Sequence, residues 1–388
     1  MTINLNRRTL IAGSLIGAGT LALPRMAFAQ GAGQRNLLFV LLRGAADGMA
    51  MLAPVGDPGL EALRGASLAD YENAPRIGSF FAVHPALAEV AKAAQGGEAL
   101  FVHAAATAYR ERSHFDGQNL LETGGPAPYA ARDGWLNRLA ALLNEGAPAP
   151  LRALAIAQTV PLALRGDAPV SNYAPSALPA ASEDLLARVS QLYSADSELG
   201  PLWARALETK AMAGDDGLSN LRDARAAGDL AASLMRGEGG ARIGMIELDG
   251  WDTHANQRGA FARSARALDG LLAAYKAGMG ASWTDTLVVV ATEFGRTARL
   301  NGTGGTDHGT GSAALIMGGA VRGGRVIADW PGLATSQLHE GRDLAPTTAL
   351  ESVLAGAVAE HWRLDPARTL ARLFPERAGA PLSGLVRG

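Results

Sequence analysis

The chain has 388 residues, of which 48% are hydrophobic and 19% charged, and its formal net charge at pH 7 is −2. This balance indicates a folded globular protein and argues against a basic surface that binds nucleic acid or anionic membranes. Cysteine is absent, which excludes disulfides, thiolate metal ligands and a cysteine nucleophile. Any metal site must therefore use histidine and carboxylate ligands, or oxygen ligands alone.

Residues 1–29 have the layout of an export signal. Arg7 and Arg8 precede an apolar run at residues 11–23, and an Ala-x-Ala cleavage pattern follows. The paired arginines are typical of twin-arginine signals, and the apolar run is too short and glycine-rich for a comfortable membrane span. We therefore expect a periplasmic or secreted mature chain, residues 30–388, without a stable membrane span and with the twin-arginine export machinery as a partner.

Short apolar runs rich in branched residues alternate with helix-like stretches along the mature chain. This alternation predicts one α/β domain, with a mostly parallel central sheet flanked by helices. The predicted strands are residues 36–42, 98–104, 151–157, 242–248, 286–292 and 313–318. The predicted helices include residues 84–95 and 261–278, and residues 182–236 are interpreted as a helical insertion over the sheet.

Acidic and histidine residues occur at the ends of several predicted strands or in the loops that follow. They are Asp47, Asp252, His254, Glu293, Asp307 and His308. Because ligands bind at the carboxyl edge of open parallel sheets, we expect these side chains to meet there as a metal site for Zn²⁺, Mn²⁺, Mg²⁺ or Ca²⁺. The alternative is that they cap helices and form loop hydrogen bonds.

Ser113 is the candidate nucleophile of the sequence. Arg112 precedes it, His114 follows it, and a predicted helix begins there. Helix amides and a guanidinium group favour an anion held against the hydroxyl, although a serine at this position can also serve only as a helix cap. Arg296 either binds the substrate anion or pairs with Glu293 or a neighbouring carboxylate. We therefore take Ser113, His114 and Arg296 as candidate catalytic residues, with Arg112 and Arg296 as candidate anion-binding residues.

Five motifs occur in a fixed order after the paired arginines: LLRGAADGM, RSHFDGQ, GWDTHANQ, TEFGRT and GGTDHG. Together they resemble the bacterial exported family called domain of unknown function 1501, which is related to the alkaline phosphatase and sulfatase superfamily. The resemblance covers essentially the whole mature chain. It implies an alkaline-phosphatase-like sandwich with a metal centre at the carboxyl edge, which hydrolyses phosphate or sulfate esters through a hydroxyl nucleophile.

The resemblance also implies metal ligands. Asp47 resembles the first-strand aspartate that binds one metal. Asp252 and His254 resemble the pair that binds the other metal, with His308 as its late histidine. The Asp-to-His spacing is tighter than in well-studied members, so Asp249 is an alternative to Asp252.

One position departs from the pattern of the superfamily. Glu293 occupies the place of an aspartate in an Asp-His pair, and Phe294 stands where the histidine is expected. Because a second metal would lose this histidine as a ligand, we expect one or two divalent ions as the cofactor.

Three functions remain open. The first is an exported metal-dependent hydrolase in which Ser113 attacks a small-molecule or polymer-borne anionic ester. The second is a non-catalytic binding or assembly protein on the same fold with a degraded metal site, which Phe294 supports. The third is a transferase or isomerase that moves an anionic group on a sugar or lipid.

Overall fold

The structure is a computed structural model that describes residues 35–147, 149–176, 181–213, 221–375, 377 and 379–387. The export signal expected at residues 1–29 lies outside the described residues. Among the helices that are described, none combines the length and the apolar character needed to cross a bilayer.

The strands form a large central sheet and a small antiparallel one. In chain order they are β1 (Asn36–Leu42), β2 (Leu52–Ala53), β3 (Arg76–Ile77), β4 (Phe81–Val83), β5 (Ala99–Ala106), β6 (Ala153–Ile156), β7 (Val170–Tyr173), β8 (Ile243–Leu248), β9 (Thr286–Thr292), β10 (Ser312–Met317), β11 (Val326–Ile327) and β12 (Thr348–Ala349). Within the described residues the central sheet has nine strands in the order β11-β5-β10-β9-β1-β8-β6-β7, and β12 also pairs with β5. The small sheet has the order β2-β4-β3.

The central sheet is mostly parallel, which confirms the predicted architecture. β1 pairs in parallel with β8 and β9, and β6 pairs in parallel with β7 and β8. β10 runs antiparallel to both of its neighbours, β5 and β9. All seven residues of β1 are buried. This is the pattern of a parallel strand that is covered on both faces.

Helices cover both faces of the sheet. They are α1 (Gly48–Met51), α2 (Leu60–Arg64), α3 (Ala88–Gln95), α4 (His114–Thr123), α5 (Trp135–Asn144), α6 (Glu183–Tyr193), α7 (Leu199–Ala213), α8 (Ala224–Met235), α9 (Gln257–Met279), α10 (Leu350–Trp362) and α11 (Pro366–Leu373). Leu38 and Val40 of β1 pack into a core with α3, α8 and α9. Leu37, Phe39 and Leu41 point the other way, into a core with α5, α10 and α11, as the two-residue period of a strand requires.

The segment interpreted as an insertion, residues 182–236, contains α6, α7 and α8. The last of these helices belongs to the layer that covers the sheet, since Leu230 and Leu234 are 1% and 0% exposed in the core shared with α9. The first two helices are more exposed: Leu185 of α6 and Leu202 of α7 are 51% and 55% exposed.

The carboxyl ends of the parallel strands lie at one edge. Leu42 at the end of β1 is in register with Leu248 of β8 and Thr292 of β9. Because β10 is antiparallel, its first residue, Ser312, lies at the same edge, opposite Ala105 of β5. The loops that carry the candidate site residues therefore adjoin one another.

Candidate metal centre

Three histidines and one aspartate direct their ligand atoms toward one another at this edge. The Nε2 atom of His308 lies 2.9 Å from that of His114 and 3.0 Å from that of His254. Asp252 Oδ1 is 2.9 Å from His254 Nε2 and 3.3 Å from His308 Nε2. Asp252 Oδ2 is 3.4 Å from His114 Nε2. His114, Asp252 and His308 together offer ligand atoms that all lie within 4.8 Å of one another.

The other ring nitrogen of each histidine faces an acceptor. His114 Nδ1 is 2.8 Å from Glu293 Oε1, and His308 Nδ1 is 2.9 Å from the backbone carbonyl oxygen of Arg112. A carbonyl or an ionised carboxylate can only accept, so each Nδ1 carries the proton and donates. In a neutral ring of this tautomer, Nε2 has a free lone pair. Burial lowers the pKa of His308, which favours its neutral form, whereas the hydrogen bond with Glu293 raises the pKa of His114.

His254 follows the same rule at a longer distance. Its Nδ1 lies 3.3 Å from Asp307 Oδ1, which also accepts from Asn301 Nδ2 at 3.0 Å. The bond from Asn301 is the main reason that the pKa of Asp307 is lowered. Two imidazole Nε2 atoms at 2.9–3.0 Å share either a proton or a cation. The donor set of His114, His308 and Asp252 fits a divalent metal, and imidazole ligands favour Zn²⁺ over Mg²⁺ or Ca²⁺.

Three separate parts of the fold position these four side chains. His114 is the first residue of α4, and Asp252 and His254 lie in the loop after β8. His308 lies in the loop before β10, where an isolated bridge pairs it with Arg296. The loops approach closely at Gly305, where an added Cβ would lie 2.1 Å from the carbonyl oxygen of His254.

Glu293 orients His114 and does not reach the group of ligand atoms. It is 0% exposed, and its Oε1 also accepts from Gly44 N at 2.9 Å and Gln118 Nε2 at 3.1 Å. Burial alone would raise the pKa of Glu293, but the hydrogen bonds from His114, Gly44 and Gln118 lower it below its usual value. A buried carboxylate behind a histidine fixes the ring and raises the basicity of its free nitrogen.

Arg296 is paired with a carboxylate, which is the second of its two expected roles. Its side chain is 0% exposed, and Nη1 donates to Asp252 Oδ1 at 2.6 Å. Nε donates to Thr306 Oγ1 at 3.0 Å, and Nη2 donates to the Thr306 carbonyl. Burial would raise the pKa of Asp252, but Arg296 and His254 lower it, so this carboxylate is ionised and able to bind a cation.

Arg112, the other candidate anion-binding residue, is also engaged with carboxylates. Its Nε and Nη2 donate to Asp343 Oδ2 at 3.0 and 2.8 Å, and Nη2 also donates to Glu340 Oε2 at 2.5 Å. Arg342 was not among the candidates of the sequence analysis. Its Nη2 donates to the carbonyl of His308 at 2.9 Å, and its side chain is 41% exposed.

Two other predicted residues are not in the group of ligand atoms and instead cap helices. Asp47 is 2% exposed and caps α1, where Oδ1 accepts from Ala50 N at 3.1 Å. Its Oδ2 is 2.5 Å from Arg64 Nη1. Ser113 is the N-cap of α4, and its Oγ accepts from Asp116 N at 3.5 Å.

Phe294 fills the space beside the histidines. Its ring is 2% exposed and stacks on His114, with centroids 5.1 Å apart and planes 23° apart. It also lies 5.5 Å from the ring of His308. Position 294 therefore offers no imidazole, and the neighbouring imidazole comes from His114 on α4. The sequence analysis marked His114 as catalytic and not as a metal ligand.

These features define an α/β protein with a histidine-rich candidate metal centre at the carboxyl edge of its sheet. The chain belongs to the family described as Protein of unknown function (DUF1501), whose profile matches residues 34–374. This confirms the family identified from the ordered motifs.

Among solved structures, a protein in the alkaline phosphatase superfamily from Vibrio parahaemolyticus is similar, with a TM-score of 0.32 and 12% identity. The similarity covers 76% of this chain and 62% of that one, so the chain matches less than two thirds of its length. No curated protein matches the sequence.

Proposed function

We propose that the protein is a metal-dependent hydrolase of phosphate or sulfate esters. The observation that carries the proposal is the convergence of three Nε2 atoms on Asp252, with each Nδ1 held by an acceptor. His114, His308 and Asp252 would hold the ion, and His254 lies beside them. When bound, a divalent ion supplies a Lewis acid that stabilises negative charge on an ester oxygen.

The residues of the chain suit this chemistry in two ways. The side chains of Asp252 and His254 are 43% and 48% exposed, so an ester group can approach from solvent. Ser113 directly precedes the candidate ligand His114 at the start of α4, so its hydroxyl is the candidate nucleophile. In the proposed reaction Ser113 Oγ releases its proton to solvent and bonds to phosphorus or sulfur, while the bond to the leaving oxygen breaks and that oxygen takes a proton from solvent. Water then hydrolyses the ester of Ser113 and restores the hydroxyl.

Arg342 is the cation we propose for the anionic group of the ester. Arg112 and Arg296 are paired with carboxylates, whereas the side chain of Arg342 is 41% exposed and donates to the carbonyl of the candidate ligand His308. Its Nη1 is 3.5 Å from Asp343 Oδ1, a longer contact than those of Arg112 with the same residue. Solvent exposure and a partly free guanidinium favour a substrate-facing role.

The test is turnover of an aryl phosphate and an aryl sulfate by protein stripped with a chelator and then reloaded with Zn²⁺ or Mn²⁺. We expect activity that depends on the metal and is lost in Ser113→Ala. The matched control is Ser233→Ala, since that hydroxyl donates to Leu230 O on α8, in the layer that covers the sheet. Activity retained by Ser113→Ala would contradict the nucleophile, and activity without any metal would contradict the proposal as a whole.

A non-catalytic metal-binding protein is the second candidate. The observation in its favour is that Ser113 serves as the N-cap of α4, a role that needs no chemistry. Stoichiometric metal binding without turnover of either ester would favour this function.

We also propose that the protein is exported through the twin-arginine pathway. The support is the sequence of residues 1–29, in which Arg7 and Arg8 precede the apolar run. Replacing both arginines with lysine should retain the full-length chain in the cytoplasm, as measured by cell fractionation. A processed chain in the periplasm of this variant would contradict the proposal.

A further inference from the structure

A buried ion pair is connected to the candidate metal centre through hydrogen bonds. Asp47 and Arg64 are 2% and 5% exposed, and Arg64 Nη1 donates to Asp47 Oδ2 at 2.5 Å. Nη2 of the same guanidinium is 3.3 Å from Asp47 Oδ1. The guanidinium also donates to backbone carbonyls, from Nε to Ala298 at 2.7 Å and from Nη2 to Thr297 at 2.9 Å. It is therefore held by two separate segments of the chain, at Asp47 and at residues 297–298.

The acceptor capacity of Asp47 is fully used by groups of the protein. In addition to the two contacts with Arg64, its Oδ1 accepts from Ala50 N at 3.1 Å and its Oδ2 from Gln257 Nε2 at 2.7 Å. A carboxylate has about four lone-pair sites. Asp47 is thus neutralised by an arginine, which stays charged at any ordinary pH, and a metal would have to displace these donors.

Glu293 is also engaged by donors of the protein. Its Oε1 accepts from Gly44, His114 and Gln118. Its Oε2 is 2.9 Å from Thr292 Oγ1, whose single proton is shared between this oxygen and the Leu42 carbonyl. Phe294, which follows it, has no ligand atom and stacks on His114. The acids that a second ion would need are therefore both occupied by donors of the protein.

We infer that Arg64 stands in place of a second metal cation, so that the protein binds one divalent ion and not two. This inference rests on the proposed metal centre. The arginine is linked to that centre by a line of buried hydrogen bonds: Gln257 Nε2 bonds to Asp47, and Thr306 Oγ1 donates to Gln257 Oε1 at 3.1 Å. Thr306 Oγ1 in turn accepts from Arg296, which holds Asp252.

The arrangement has a functional consequence. A fixed guanidinium supplies positive charge near the site without exchanging with solvent ions. The amount of bound metal, measured against metal concentration, should then follow a single binding event.

The experiment is titration of chelator-stripped full-length mature protein with Zn²⁺, followed by calorimetry and elemental analysis. We expect one ion per chain in the wild type and one in Asp47→Asn/Arg64→Met, which removes the buried pair without leaving a lone charge. Asp252→Asn should bind the ion about tenfold or more weakly. Two ions in the wild type would overturn this inference alone, whereas no bound ion would overturn the proposed metal centre with it.

A second variant tests the replacement directly. Arg64→Ala frees both oxygens of Asp47 and the carbonyl oxygens of Thr297 and Ala298, a set of oxygen ligands that does not involve Glu293. Such ligands suit Mn²⁺, so we expect its bound Mn²⁺ to rise from one ion per chain to two. The same variant should be stabilised against heat by Mn²⁺ at concentrations that no longer affect the wild type. One ion in a folded Arg64→Ala, without added thermal stabilisation, would overturn the inference. If Arg64→Ala does not fold, the stoichiometries of the wild type and the double variant still decide it.

Discussion

Replacing Glu293 with glutamine should weaken metal binding without removing a ligand atom. Glu293 Oε1 accepts from His114 Nδ1 at 2.8 Å. Glutamine keeps the shape of the side chain and one acceptor oxygen, so this hydrogen bond can persist, but it loses the negative charge. His114 Nε2 then becomes a less basic ligand.

The expected loss of affinity is about 10–100-fold, or about 1.4–2.7 kcal/mol. We expect a value near the upper end, because Glu293 is 0% exposed and water does not screen its charge. The buried carboxylate also has three donors on the same oxygen, those of His114, Gln118 and Gly44. They fix the position of the oxygen that holds the imidazole.

The assay is competition for Zn²⁺ against a chromogenic chelator, with the fold checked by circular dichroism. The matched control is Glu145→Gln, which removes a carboxylate that pairs with Arg368 and Arg372 at 2.7 and 2.6 Å, and should leave affinity unchanged. Wild-type affinity in Glu293→Gln, together with a clear loss in Asp252→Asn, would refute the argument that Glu293 acts through His114.

Two further predictions concern stability. Gly295→Ala places a Cβ 1.9 Å from the carbonyl oxygen of Gly311, so the free energy of unfolding in urea should fall by about 1–3 kcal/mol or more. The control is Gly302→Ala, whose Cβ meets nothing within 4 Å and whose free energy of unfolding should stay within about 0.5 kcal/mol of the wild type. Equal stabilities would contradict the close approach. Burial lowers the pKa of His103 to about 4 and, with a contribution from Arg35, that of His361 to about 3. Such histidines take up a proton when the protein unfolds. Each one should therefore lower the free energy of unfolding by about 1.4 kcal/mol per pH unit as the pH falls from about 6.5 toward its folded pKa. His361→Gln should reduce this slope in urea unfolding at pH 7 to 4.5, and an unchanged slope would contradict the buried neutral state.

The sequence predicted the strands that are buried on both faces, because burial imposes a continuous apolar run. Residues 36–42 and 286–292 coincide with β1 and β9. β7 was missed because Val170–Tyr173 is partly exposed and polar in its middle. β11 and β12 have two residues each, and their pairing depends on tertiary packing that no local pattern encodes.

The candidate site was predicted as a set of residue types at one edge, but not as a set of roles. Asp47 and Asp252 look alike in the sequence, since each follows a predicted strand. In the structure Asp47 pairs with Arg64, whereas Asp252 contacts the histidines. Partners such as Gln257, which is 210 positions from Asp47, carry no signal in one sequence, because ordinary polar residues acquire these roles only through the fold.

Anomalous scattering from crystals grown with Zn²⁺ tests the central claim most directly. The account predicts a single peak that lies about 2.0–2.2 Å from Nε2 of His114 and His308 and from an oxygen of Asp252. A structure at saturating Zn²⁺ with no peak among these three side chains would contradict it.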